Sequence, residues 1–194
     1  MNWYKTSEDE APEITEEMTN WYKKRTENHI NLVRKYCKKI HEVYGDRFDE
    51  ILERAKIHDQ SKYEDPEIIP YIFITWDYKC KDENVEFNIP EDIQDKMNEA
   101  TEHHVKSNSH HPEYHSDQEE TINREDRDKP PKELIDATSM PELDLVEMCA
   151  DWSAMSEEKG GTPMEWADKN VNVRWKFTED QVDLIYEVLN NIWE

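Results

Sequence analysis

Apolar side chains recur in this chain at three- and four-residue intervals, and no run of useful length alternates with period two. That pattern admits helices and little else. Ile30, Val33, Cys37, Ile40 and Tyr44 share one helical face, and Gly45 follows as a stop. Phe48, Ile51, Leu52, Ala55, His58 and Asp59 continue as a second stripe. Asp65 reads as an N-cap with Pro66 in the first helical position, opening an aromatic-rich helix that ends near Lys79. A further helix is predicted from Glu91 to near Lys106.

Three pairs then have capping-box spacing: Ser139 with Glu142, Thr162 with Glu165, and Thr178 with Gln181. The first opens a stripe of Leu145, Met148, Cys149, Trp152 and Met155, which Gly160-Gly161 ends. The third opens a stripe of Val182, Ile185, Leu189 and Ile192. The predicted fold class is all-α, a single helical domain over 1–194. A flexible tail is expected at 1–17, and a loop or insertion over the polar, non-periodic segment 116–131.

Composition sets the material available for the core. Leu, Ile, Val and Phe supply only 35 of 194 residues, and the formal net charge is −23. Those values alone point toward disorder. Seven Trp, nine Tyr and seven Met oppose that conclusion, so a core of aromatics and Met under an acidic surface is expected.

The charge disfavours a nucleic-acid partner, which cationic residues would have to bind. It leaves a solvated surface, a basic protein partner, or mimicry of nucleic acid. Only three Gly occur, so Gly-rich phosphate loops are absent. Cys37, Cys80 and Cys149 are widely spaced and odd in number, which argues against a disulfide framework or a thiolate zinc site. The run Ile68–Trp76 is interrupted by Pro70 and is too short to span a bilayer, and the acidic start is neither a signal nor a transit peptide. A cytoplasmic location is expected, with no membrane partner.

Eight His occur, five of them between His103 and His115. A histidine-rich tract beside carboxylates suits a divalent transition metal. His58 and Asp59 fall at the inward end of an apolar stripe. Asp151 lies among Met148, Trp152 and Met155, and His29 borders the stripe of Ile30 and Val33. Buried groups of this kind must be paired, hydrogen-bonded or metal-bound.

The order His29, His58-Asp59, paired histidines, Asp151 resembles the HD-domain superfamily of metal-dependent phosphohydrolases, whose ligands sit on separate helices of an all-α bundle. HDQSK at 58–62 is similar to the HDxxK form of that fold. HINLV at 29–33, HDQSKYEDPE at 58–67, HHVKSNSHHPEY at 103–114 and EMCADWSAM at 147–155 resemble a little-characterised phage and bacterial branch.

The resemblance implies that His29, His58, Asp59 and Asp151 hold one ion, with Asp59 bridging to a second held by His104 and His110. His103 and His111 are alternates or substrate contacts. The implied cofactor is one or two ions of Mn, Fe, Zn, Co or Ni. On an unbroken helix His103 and His110, or His104 and His111, would lie about 10.5 Å apart along the axis. Sharing an ion therefore requires a break near Asn108-Ser109.

The implied reaction is hydrolysis of a nucleotide or other small phosphate ester by metal-activated water, in which Asp59 and Lys62 are the catalytic residues. Lys62 would contact the phosphoryl group. Glu67 is either a water-orienting acid or a first-turn helix residue. Tyr71, Tyr114 and Trp152 are candidate pocket walls. His41 and His115 are expected to be solvated. Two alternatives stand beside this reading: a di-iron oxygenase on the same scaffold, and a non-enzymatic acidic protein that binds a host protein. A homo-oligomer is left open.

Overall fold

The computed structural model describes residues 13–117 and 131–193. Among these, the chain is all-α: α1 (Glu16–Tyr44), α2 (Ile51–Ile57), α3 (Ile68–Asp82), α4 (Glu91–Ser107), α5 (Glu142–Lys159), α6 (Pro163–Asn170) and α7 (Glu179–Trp193). Two-residue strands β1 (Ile135–Asp136) and β2 (Trp175–Lys176) pair in parallel. No helix among the described residues is long and apolar enough to cross a membrane.

α1 is the spine. Its 29 residues extend about 43 Å, and it packs on α2, α3, α5 and α7. Its C-terminal half contributes Val33, Cys37 and Ile40 to the main core, with Leu145 and Met148 of α5 and Ile185, Leu189 and Ile192 of α7. Its N-terminal half contributes Met18 and Tyr22 to a smaller core with Phe73 of α3 and Met97 of α4. His29 falls between the two on the same helix. Each buried Leu or Ile contributes roughly 1.5–3 kcal/mol. The expected aromatic and Met content is present, with Trp152 and Trp175 stacked at 5.7 Å inside the main core.

The helix ends explain part of the acidity. Glu16-Glu17, Glu91-Asp92, Glu142 with Asp144, and Glu179-Asp180 occupy first turns, where negative charge favours the exposed N–H groups. Gly45 ends α1 at φ 54°, as predicted. The Thr162–Glu165 box is formed, and so is the reciprocal pair of Thr178 and Gln181.

Several expectations are corrected. The tail does not extend to residue 17: Thr15 caps α1 by accepting from Met18 N at 3.1 Å, so Glu16 and Glu17 are helical. Residues 1–12 of that tail and 118–130 of the 116–131 segment lie outside the described residues. Ser139 does not cap α5. Its hydroxyl donates to the His115 carbonyl, and Pro141 occupies the cap position. Asp65-Pro66 precedes α3, which starts at Ile68. His58 and Asp59 do not continue α2 but form the turn that ends it. Cys37, Cys80 and Cys149 are free and buried.

Candidate metal centre

Four elements deliver the polar cluster. His58 caps the C-terminus of α2 with φ −51° and ψ 129°, and Asp59 then takes a left-handed conformation at φ 57°. Asp tolerates that region better than most residues, but it still costs about 1 kcal/mol or more. The turn reorients the pair: both leave the helical register and project inward, 2% and 1% exposed. Tyr22 of α1 pins this turn by donating to the Lys62 carbonyl. His29 comes from α1 and Asp151 from α5.

Asp59 is the hinge of the geometry, because its two oxygens face different partners. Oδ2 lies 3.3 Å from His29 Nε2 and 3.6 Å from His58 Nε2. Oδ1 lies 3.5 Å from His104 Nε2 and 3.6 Å from His110 Nε2. His29 Nε2 also meets Asp151 Oδ1 at 3.0 Å, and His58 Nε2 stands 3.9 Å from the same atom. Ligand atoms of His29, His58 and Asp59 lie within 4.8 Å of one another, as do those of His58, His110 and Asp151. So do those of Asp59, His104, His110 and His111.

The helix break required for the second group is present. α4 ends at Ser107, Asn108 is extended at φ −114° and ψ 112°, and the chain returns so that His104 Nε2 and His111 Nε2 are 3.0 Å apart. The amide of Asn108 donates to the His104 carbonyl, covering a carbonyl that the helix leaves open.

The electrostatics prepare these groups for a cation. Burial opposes ionisation of Asp59, yet Lys62, His58 and His104 together hold its carboxyl well below the usual range. Burial likewise opposes ionisation of Asp151, and the hydrogen bond from His29 reverses the balance. Burial, joined by the neighbouring His58 ring, pushes His110 down to about 3. Burial and Lys62 push His104 down as well. These two rings are therefore neutral at pH 7, the protonation state a metal ligand needs. His29 is different: burial would lower it, but its bonds to Asp151 and Asp59 raise it to about 9. The buried atoms His58 Nε2 and Asp59 Oδ1 have no hydrogen-bond partner. Unsatisfied buried polar atoms are costly. Both point into the cluster, and a bound cation would satisfy both, so the donor set fits a metal.

A second layer fixes the imidazoles. Glu147 of α5 accepts from His58 Nδ1 at 2.9 Å and from Arg54 Nε at 2.8 Å. Glu67, fully buried, accepts from His103 Nδ1 at 2.7 Å and His104 Nδ1 at 2.9 Å. Such carboxylates set the tautomer, leaving the far nitrogen free to ligate. Arg54 also binds Asp144 and Ser109, tying the loop that carries His110 to α5.

The cluster opens into a cleft of about 420 Å³ that His29, Asp59, His104, His111 and Asp151 help to line. Lys62 lies at its base, Nζ 2.5 Å from Asp59 Oδ2.

The structure thus brings together the expected residues His29, His58, Asp59, Lys62, His104, His110, His111 and Asp151. His103 is not with them: its ring binds Glu67, and its side chain is 39% exposed. Glu67 stands at the N-cap of α3, close to its expected place in the first turn, and its carboxylate is a buried support rather than an acid facing the cleft. Tyr71 and Trp152 line the cleft, whereas Tyr114 does not and is 48% exposed. His115 is not solvated, since Nε2 donates to the Ser109 carbonyl at 2.8 Å. The sequence reading missed Glu147 and Arg54. A signal existed for Glu147, which precedes Asp151 by one helical turn and so shares its face.

Residues 18–191 fit the profile of a family described as Family of unknown function (DUF5662). No curated protein and no solved structure matches the chain.

Proposed function

The chain belongs to the family of unknown function DUF5662, and from its site we propose that it is a metal-dependent phosphohydrolase of the HD-domain type. One observation carries the reading. Asp59 turns one oxygen toward His29 and His58 and the other toward His104 and His110, the arrangement of a carboxylate between two cation positions. His29, His58, Asp59 and Asp151 would hold the first ion. Asp59, His104, His110 and His111 would hold the second.

Divalent ions bound there supply an activated water at neutral pH and a Lewis acid for the phosphoryl oxygen. The protein's own groups do the rest. Lys62, now paired with Asp59, reaches a phosphoryl oxygen at the cleft base as a point charge. Glu147 and Glu67 keep His58 and His104 in the ligating tautomer. Tyr71, edge-on to His104 at 5.8 Å, walls the reacting end. The substrate class is a small phosphate ester that fits the cleft, consistent with a chain whose net charge repels long polyanions.

A second reading has its own support. Three imidazoles against one carboxylate make the second group nitrogen-rich, which suits iron as it does zinc or nickel, so the donor set also fits a di-iron oxygenase on the same scaffold. The deciding experiment is elemental analysis of purified protein, followed by a phosphate-release screen over nucleotides and phosphorylated sugars. The phosphohydrolase reading expects bound transition metal and release of phosphate that His58→Ala with Asp59→Ala abolishes. Two irons per chain, oxygen consumption and no phosphate release would overturn it in favour of the oxygenase.

A further inference from the structure

The cleft continues past the metal centre along two helices. Asp151, Trp152, Met155, Ser156 and Lys159 line it from a single face of α5. Lys159 lies eight residues beyond Asp151, about 12 Å along the helix axis. Thr162, Glu165, Trp166 and Lys169 line it from α6 at three- and four-residue spacing, again a single face.

Charge is distributed unevenly along this path. Five of the chain's 24 basic residues line the cleft: Arg25, Lys62, Lys159, Lys169 and Arg174. Three have carboxylate partners. Arg25 meets Glu158 at 3.8 Å, Lys62 meets Asp59, and Arg174 meets Glu113 at 3.4 Å. Lys159 and Lys169 have none among the described residues. Glu165, the acid nearest Lys169 on that face, is turned back to accept from Thr162 N in the capping box. Lys159 and Lys169 are exposed on the cleft wall, so both ammonium groups are open to an anion that enters the cleft. Trp166 stands one turn before Lys169, 36% exposed, and offers apolar surface to the body of a ligand.

We propose that Lys159 and Lys169 form a second anion subsite, which holds the non-reacting end of an elongated phosphate ester charged at both ends. The inner end of this inference rests on the phosphohydrolase reading, whereas the outer subsite does not. α5 then acts as a ruler: Asp151 marks the metal end, where the reacting phosphoryl group would sit, and Lys159 meets the remote anion.

The test uses the metal-loaded full chain and two probes, hexanediol bisphosphate and hexyl phosphate, which differ only in the second anionic end. Tryptophan fluorescence reports binding. The bisphosphate should bind about tenfold tighter at low ionic strength, with the advantage shrinking as salt is added. Lys159→Gln with Lys169→Gln should bring the bisphosphate down to the affinity of hexyl phosphate, leaving hexyl phosphate binding and metal content unchanged. Both lysines sit in last helical turns, where positive charge also favours the helix end. The control is therefore Lys159→Arg with Lys169→Arg, which keeps the charge and should keep the advantage. Equal affinities in the unaltered chain, an advantage that survives the double Gln change, or no binding of either probe would overturn the subsite. A lysine-dependent advantage that is unchanged after the metal is stripped would uphold the subsite and remove the metal-bound inner end on which the phosphohydrolase reading rests.

Discussion

The two halves of the candidate metal centre are built differently. The first, His29, His58, Asp59 and Asp151, is carried by α1, the turn after α2, and α5, all braced by the main core. It mixes two imidazoles with two carboxylates. The second adds His104, His110 and His111 to Asp59, and two of those histidines ride on the loop that follows α4. A position set by packed helices is held by many apolar contacts. A position set by a loop depends on a few polar bonds, here Glu67 to His104 and Arg54 to Ser109. The first half should therefore bind its ion more tenaciously, and the second should be the half that mutation or chelation empties first.

The largest effect should come from the residue the halves share. Asp59→Ala should remove metal from both, seen as loss of all bound ions by elemental analysis and loss of phosphate release. Retention of one full equivalent would break the comparison at its centre. Next is a change that should touch neither half. Leu189→Ala, deep in the α7 face of the core, should cost about 2–5 kcal/mol in denaturant unfolding of the metal-free chain. Metal content per folded molecule should stay constant.

Intermediate effects should separate the halves. Glu147→Gln should weaken metal binding at the first, and Glu67→Gln at the second, each by roughly 10–100-fold in competition with a chelator. If both substitutions weaken the same ion, the support assignments are wrong.

The smallest effect is on pH dependence. His29 is raised to about 9 in the metal-free chain by Asp151 and Asp59, so at pH 7 an incoming ion displaces its proton. Affinity of the first half should rise with pH toward about 9 and level beyond it, with protons released into a weak buffer. In the metal-free chain the sign is opposite. A raised folded-state histidine stabilises fully below its unfolded value, and that stabilisation is lost as pH rises through about 9.

What the sequence made legible follows the same division. The first half was readable because His29, His58, Asp59 and Asp151 all interrupt apolar stripes, and a stripe fixes direction. Even there helical spacing misleads in one respect. Helical spacing carried α2 through Asp59, whereas the chain turns at His58 into a left-handed residue that periodicity does not register. In the second half, spacing alone could say that His104 and His111 meet only if the helix breaks. It could not say which histidines profit, because that depends on the path after Asn108. His103 and His104 both bind Glu67, yet of these two only His104 reaches Asp59 among the described residues, as the stripe of Ile93, Met97 and Ala100 on the same face indicates. Glu67 is hidden for a related reason, whereas Glu147 is marked only by sharing a face with Asp151. A supporting carboxylate announces itself by burial among partners distant in sequence, His58 with Glu147 and His104 with Glu67, rather than by motif.

The central claim is that one carboxylate serves two ion positions of unequal make-up. Elemental analysis after metal loading and gel filtration tests it most directly, on the unaltered chain and on His110→Ala. The account predicts two ions per chain in the first and one in the second. Equal metal content in the two proteins, or none in either, would contradict it.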